Sequence, residues 1–216
     1  MHNPWLDIPL ADYEAHMALP TVGQAQLIAH ELDVLVRTYS PNSVAIIGCA
    51  GGNGFDCAVG TSVCRVVGVD INPQYIERAR ERHKGRIPGL ELHVADIQAS
   101  ESLFDPVDLI YVALVLEYVD LARTMIVLKS HCNTNGVLAA LSQLPDERMA
   151  HVSPSPYNSL QLLAPGMRLI SQEELQQQAS YAGFAPIHSR TAVATGGKRL
   201  RIDEFRARVR ADAGAS

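Results

Sequence analysis

Two hydrophobic periods alternate along the chain. In residues 21–39, TVGQAQLIAHELDVLVRTY, apolar side chains fall at Val22, Leu27, Ile28, Leu32, Leu35 and Val36. That spacing of three and four predicts a helix with one stripe turned to a core. Pro41 and Asn42 end it. SVAII and CRVVGVD are short, unbroken apolar runs, the second closing on Asp70, and both predict buried strands. Between them GCAGGNG places Gly48, Gly51, Gly52 and Gly54 in quick succession, followed by a short helical stretch around Phe55. NPQYIERARERH predicts a helix capped by Asn72 with Pro73 in its first position; Glu77, Arg78, Arg80, Glu81 and Arg82 mark its outer face.

The second half continues the alternation. GLELHVAD predicts a strand with Leu90, Leu92 and Val94 inward and Asp96 at its end. VDLIYVAL is the most apolar run, hence a central strand covered on both faces. YVDLARTMIVLKSHC reads as a helix and GVLAALSQL as a fifth strand. SQEELQQQASYAGF reads as a helix that Ser171 and Glu174 open with a capping box. APIHSRTAVAT and KRLRIDEFRA flank Gly196-Gly197 and predict an antiparallel hairpin. Its basic residues, Lys198, Arg199, Arg201, Arg206, Arg208 and Arg210, are expected on a solvated edge. Five βα units and a hairpin predict an α/β fold in one domain, residues 1–216, with a mostly parallel sheet wrapped on both faces.

Composition narrows the partners. A 216-residue chain with net charge −5 lacks the basic balance that phosphate backbones attract, so no nucleic-acid partner is expected. Cys49, Cys57, Cys64 and Cys132 form no C-x-x-C pair and no His/Cys set with zinc spacing, so no metal is expected and reduced thiols are. The N-terminus has no continuous apolar stretch of signal-peptide type, and the longest apolar run, LIYVALVL, is too short for a bilayer. These features predict a soluble, cytoplasmic protein without a membrane partner.

The glycines carry the chemistry. In an open parallel sheet, ligands bind beyond the carboxyl ends of the strands where strand order reverses. Gly48 can take positive φ, and Ala50 and Gly52 keep the turn thin, so a ligand is expected to lie across its N–H groups. Asp70, at the end of the next strand, stands where a carboxylate grips two ribose hydroxyls. Asp96, one strand further, could accept from an adenine amino group. Turn, acid and acid on three successive strands describe a slot for adenosine. An NAD-dependent oxidoreductase shares the turn and the first acid; it leaves Asp96 and the terminal hairpin without a role, and no second half-domain is visible to hold a nicotinamide.

These residues resemble the class I methyltransferases that use S-adenosylmethionine, over Val22 to Arg208. VAIIGCAGGNG is similar to the family's first motif, with Gly48, Ala50 and Gly52 at its three glycine positions and Cys49 and Asn53 beside them. VVGVDINP is similar to the second, which implies Asp70 on the ribose and Ile71 on the adenine face. LHVADIQ resembles the third, implying Asp96 and Ile97 at the adenine edge, and VDLIYVALVLEYVD the fourth, implying Ala113 and Leu114 under the methionine part. The resemblance also implies a doubly wound, seven-stranded, Rossmann-like sheet of order 3-2-1-4-5-7-6 with its last strand antiparallel. Two departures stand out: Ile46 occupies the position of an acid that helps to hold the methionine ammonium, and Ala50 replaces the middle glycine. They support, as an alternative, a non-catalytic S-adenosylmethionine-binding scaffold.

Two segments are placed to cover the slot. In the first, residues 1–20, Tyr13, His16 and Met17 share a helical face; Tyr13 is the candidate to line the site and His16 the candidate base. The second, residues 144–170, is a proline-punctuated insertion whose polar candidates are His151, Tyr157 and Arg168. The expected reaction is in-line methyl transfer to a small-molecule acceptor. The acceptor, its reacting atom and the oligomeric state are not encoded in any of these motifs.

Overall fold

A computed structural model describes residues 2–99, 102–147 and 150–209; Arg210 and positions 148 and 149 of the inserted segment lie outside the described residues. One sheet contains β1 (Ser43–Ile47), β2 (Arg65–Asp70), β3 (Leu90–Val94), β4 (Val107–Ala113), β5 (Cys132–Gln143), β6 (Phe184–Val193) and β7 (Arg199–Ala207). Its order is β3-β2-β1-β4-β5-β7-β6. β7 runs antiparallel to both neighbours and every other pairing is parallel. The helices are α1 (Leu10–Ala18), α2 (Gln24–Tyr39), α3 (Pro73–His83), α4 (Leu121–Ser130) and α5 (Gln172–Tyr181).

Strand alternation divides the core in two. Val44 and Ile46 of β1 join Leu32 and Val36 of α2 and Ile76 of α3 on one face. Ala45 and Ile47 join Met125 and Leu128 of α4 and Leu175 of α5 on the other. β1 and β4 are therefore buried on both sides, as their unbroken apolar runs require. The helix starts follow the sequence: Asn72 accepts from the Gln74 N–H at 2.9 Å, Asp120 from Arg123 at 2.9 Å and Ser171 from Glu174 at 3.1 Å. The return half of the expected capping box does not form, because the Glu174 carboxylate is taken by Arg168 at 2.7 and 2.8 Å.

Three further expectations are corrected. Fewer than five βα units form: β1 exits into a 3-10 turn, Phe55–Ala58, and no α-helix joins β3 to β4 among the described residues. Val94 is 52% exposed rather than inward, since β3 is an edge strand with an uncovered end. The basic stretch is not a solvated edge. β7 lies inside the sheet, Lys198 and Arg201 are buried, and Arg201 pairs with Asp203, while Arg199 and Arg208 do face outward. No helix among the described residues is long and apolar enough to cross a membrane.

Candidate functional site

The carboxyl ends of β1, β2, β3 and β4 open on a cleft. Its floor is the turn after β1. Gly48 has φ +71°, and a Cβ there would meet the Val115 Cγ2 at 2.4 Å, so only glycine fits. Four amides of this turn are already used. Gly48 and Cys49 both donate to the Val69 carbonyl, at 2.8 and 3.1 Å, and Gly52 donates to Cys49 at 2.9 Å. Ala50 donates to the Asp70 carboxylate at 2.9 Å. At Gly48, Cys49, Ala50 and Gly52 the turn therefore offers a ligand backbone surface rather than the free N–H groups expected there. Ala50 and Leu114 adopt left-handed backbone, φ +47° and +57°, a strain of about 1–2 kcal/mol each for side chains with a Cβ.

Asp70 joins the turn to the cleft. One carboxylate oxygen holds Ala50 and the other accepts from the Asn72 N–H at 2.9 Å. Burial pushes its pKa up to about 6, against these amides, which hold it down. Asp96 lines the same cleft, half-buried, and accepts from the Gln98 N–H at 2.9 Å. Ile71, Ile97, Ala113 and Leu114 supply apolar walls. Gly48, Asp70 and Asp96, far apart in sequence, face one space.

The N-terminal segment closes the cleft from above. Trp5 sets its ring edge-on to Tyr13 and Tyr118, at centroid distances of 5.7 and 5.3 Å, and Tyr13 stacks on Tyr75 at 6.2 Å. Asn72 donates to the Trp5 carbonyl and Tyr75 to the Ile8 carbonyl, each at 2.9 Å. Arg82 engages both carboxylate oxygens of Glu14. The inserted segment closes the side: Leu160 and Leu163 bury Ile8, and Ser159 donates to Asp12 at 2.6 Å. Trp5, Tyr13, Leu114 and Tyr118 line both the cleft and a second cavity. His16, Gln24, Gln143 and Lys198 face this second space, with Met17, Leu160, Leu163 and Met167.

Residues 46–138 match the family model described as a methyltransferase domain. Over that stretch the chain is similar to methyltransferase domains. Solved structures with the same fold include a magnesium protoporphyrin IX methyltransferase from Synechocystis PCC 6803 with bound S-adenosylhomocysteine. It is 16% identical and covers 87% of this chain and 84% of its own, with a TM-score of 0.66. The N-methyltransferase NodS from Bradyrhizobium japonicum WM9, in complex with S-adenosylhomocysteine, is 18% identical over 85% and 87% of the two chains, with a TM-score of 0.64. A mitomycin 7-O-methyltransferase is 20% identical over 84% of this chain and 54% of its own, with a TM-score of 0.62. At these identities the likeness is one of fold. No curated protein sequence matches the chain.

Across the sheet and its covers, the expected site residues divide. Gly48, Ala50, Asp70, Ile71, Asp96, Ile97, Ala113, Leu114 and Tyr13 line the cleft. The Cys49 side chain instead packs in the core, where burial pushes its thiol pKa well up and keeps it protonated. Gly52 and Asn53 line a separate hollow with Glu14 and Arg82. Ile46 points into the core and does not line the cleft. His16 and His151 line the second cavity. Tyr157 packs against the Ile8 cluster, and Arg168 is exposed on Glu174; neither lines either space. Trp5, Tyr118 and Lys198 were not expected. Trp5 is the chain's one tryptophan, a signal for the first, while Lys198 was hidden by its place in a basic run.

Proposed function

We propose that the protein transfers a methyl group from S-adenosylmethionine to a small-molecule acceptor by in-line displacement, with residues 1–20 and 144–170 as covers over one domain. The observation that carries this reading is the shared wall of Trp5, Tyr13, Leu114 and Tyr118, which puts a second, partly polar cavity directly beside the strand-end cleft. The cleft's residues fit the cofactor. Asp70 is a buried carboxylate whose charge burial disfavours, so ribose hydroxyls donating to it would relieve that penalty. Asp96 suits the adenine amino group, Ile71 and Ile97 its faces, and Ala113 and Leu114 the methionine part. Gly48 and Ala50 let the ligand approach the backbone; Cys49, Gly52 and Asn53 shape the turn from behind.

When bound, S-adenosylmethionine supplies a methyl carbon activated by its sulfonium, whose bond to sulfur breaks with the electron pair kept by sulfur as the acceptor's lone pair forms the new bond. The protein's own part is to align the acceptor and exclude water. Tyr13 holds the junction of the two spaces, and burial raises its phenol pKa, so it stays protonated. His16 is the candidate base. Burial first, and the Lys198 charge second, lower its pKa, which leaves it neutral at pH 7 and ready to take a proton where the acceptor must lose one. Free cysteines suit a cytoplasmic setting.

A nicotinamide dinucleotide fits less well. Its pyrophosphate wants a helix N-terminus after β1, and here a four-residue 3-10 turn follows. Calorimetry with S-adenosylmethionine, S-adenosylhomocysteine and NAD tests the proposal. Binding of the first two and not of NAD is expected; preference for NAD would overturn it. Binding of the homocysteine form without methyl transfer to any acceptor would favour the scaffold alternative.

A further inference from the structure

The second cavity holds more hydrogen-bond donors than the protein satisfies. Lys198 is only 5% exposed, yet its ammonium meets two neutral oxygens, Gln143 Oε1 at 3.0 Å and the His151 carbonyl. No carboxylate among the described residues pairs with it. Beside it, His16 and Gln24 are each 4% exposed, and His16 Nδ1 and Gln24 Nε2 have no hydrogen-bond partner. An unpaired buried cation and an idle amide donor are both unfavourable unless a ligand completes them. All three side chains line one space.

We infer that this cavity binds the methyl acceptor by a carboxylate on an apolar body, the carboxylate held by Lys198 and Gln24. The inference rests on the methyltransferase reading and adds the class of substrate. A carboxylate accepts several hydrogen bonds and carries one charge, which matches one ammonium and one amide. A phosphate, with up to two charges and three acceptor oxygens, calls for more cations than the cavity holds. The rest of the lining, Met17, Leu160, Leu163 and Met167 with the rings of Trp5 and Tyr118, suits an aliphatic or aromatic body. Lys198 lines the second cavity but not the cleft, whereas Leu114 and Tyr118 line both. The carboxylate is thus an anchor away from the cleft, and the reacting atom lies between it and the shared wall, within the cavity that His16 also lines.

The test is calorimetry on the full chain saturated with S-adenosylhomocysteine, using matched acids and amides: benzoate and benzamide, 4-hydroxyphenylacetate and its amide, octanoate and octanamide. At least one acid is expected to bind tenfold or more tighter than its amide. Lys198→Met is expected to abolish that preference while leaving S-adenosylhomocysteine affinity within twofold. Gln24→Leu, which keeps the ammonium, is expected to weaken the acid three- to tenfold and serves if Lys198→Met does not fold. The inference is overturned if no acid is preferred over its amide, or if the preference survives both substitutions. Failure of the unsubstituted protein to bind S-adenosylhomocysteine would instead overturn the underlying methyltransferase reading.

Discussion

Replacing Asp70 by Asn separates what this carboxylate does for the fold from what it would do for a ligand. Its pKa is pushed from 3.8 to about 6. At 1.36 kcal/mol per pH unit, holding the charge buried costs the ligand-free protein about 3 kcal/mol at neutral pH. The direction follows from proton uptake: the unfolded chain ionises near pH 4 while the folded one keeps its proton to about pH 6. Stability is therefore full below pH 4 and lost as pH rises through that window. Asn removes this penalty. It can accept from only one of the Ala50 and Asn72 amides, however, and stranding the other returns about 1–3 kcal/mol. Urea unfolding should find the variant close to the parent at pH 7. Between pH 5 and pH 7 it should gain about 1 kcal/mol on the parent. Calorimetry should find S-adenosylhomocysteine weakened by about 1–3 kcal/mol, roughly 5- to 150-fold, as hydroxyl donors lose a charged acceptor. An affinity within twofold of the parent would remove Asp70 from the ribose, and a pH-independent stability difference would refute the burial argument.

Ala50→Gly should stabilise the fold by about 1 kcal/mol by relieving left-handed backbone at φ +47°; a urea midpoint that does not rise would show the turn to be unstrained. The acid limb of the rate–pH profile should lie below pH 6.5, because His16 works as a base only while neutral and its pKa is lowered. His16→Gln should cut kcat by about 100-fold or more where the acceptor must lose a proton, and an acid limb above pH 7 would exclude His16. Glu14→Gln loosens the Arg82 tie of the N-terminal segment; S-adenosylhomocysteine should leave about two- to fivefold faster in stopped flow, the range of a solvent-exposed ion pair. An unchanged off-rate would mean that this tie does not hold the cover.

The cleft was legible because its signals are local. A glycine that only a tight turn accommodates and an acid that ends an apolar run can be read within a few residues, and Gly48, Asp70 and Asp96 do converge. The amide pattern of the turn was not legible, since the Val69 carbonyl that engages Gly48 and Cys49 comes from the neighbouring strand. The same holds for Lys198. Lys198 stands just before β7 in an alternating basic run, and its ammonium is buried by Gln143 at the end of β5 and by His151 of the inserted segment, both far away in sequence. Arg168 looked like a ligand group by composition, yet a carboxylate six residues away in its own chain takes it.

The two halves of the site differ in how firmly they are built, and this bears on how a ligand enters. The cleft floor belongs to β1, β2 and β4, buried on both faces and paired along their lengths. The covers bury Met17 and Ile170 in the core. They are otherwise tied to that frame by hydrogen bonds from Asn72 and Tyr75, from the Arg168 N–H to Glu117 and from Lys198 to the His151 carbonyl, by an exposed ion pair at Arg82, and by ring contacts of Tyr13 with Tyr75 and of Trp5 with Tyr118. The hydrogen bonds, ion pair and ring contacts among these contribute on the order of 1 kcal/mol each. Parting the covers from the sheet leaves the paired strands intact, and local opening of such segments is expected below the free energy of global unfolding. Trp5 and Tyr13, carried by the N-terminal cover, are also walls of both spaces. A cover that moves thus exposes cleft and acceptor cavity together, and one that closes seals the shared junction against water at the place where the methyl group would cross.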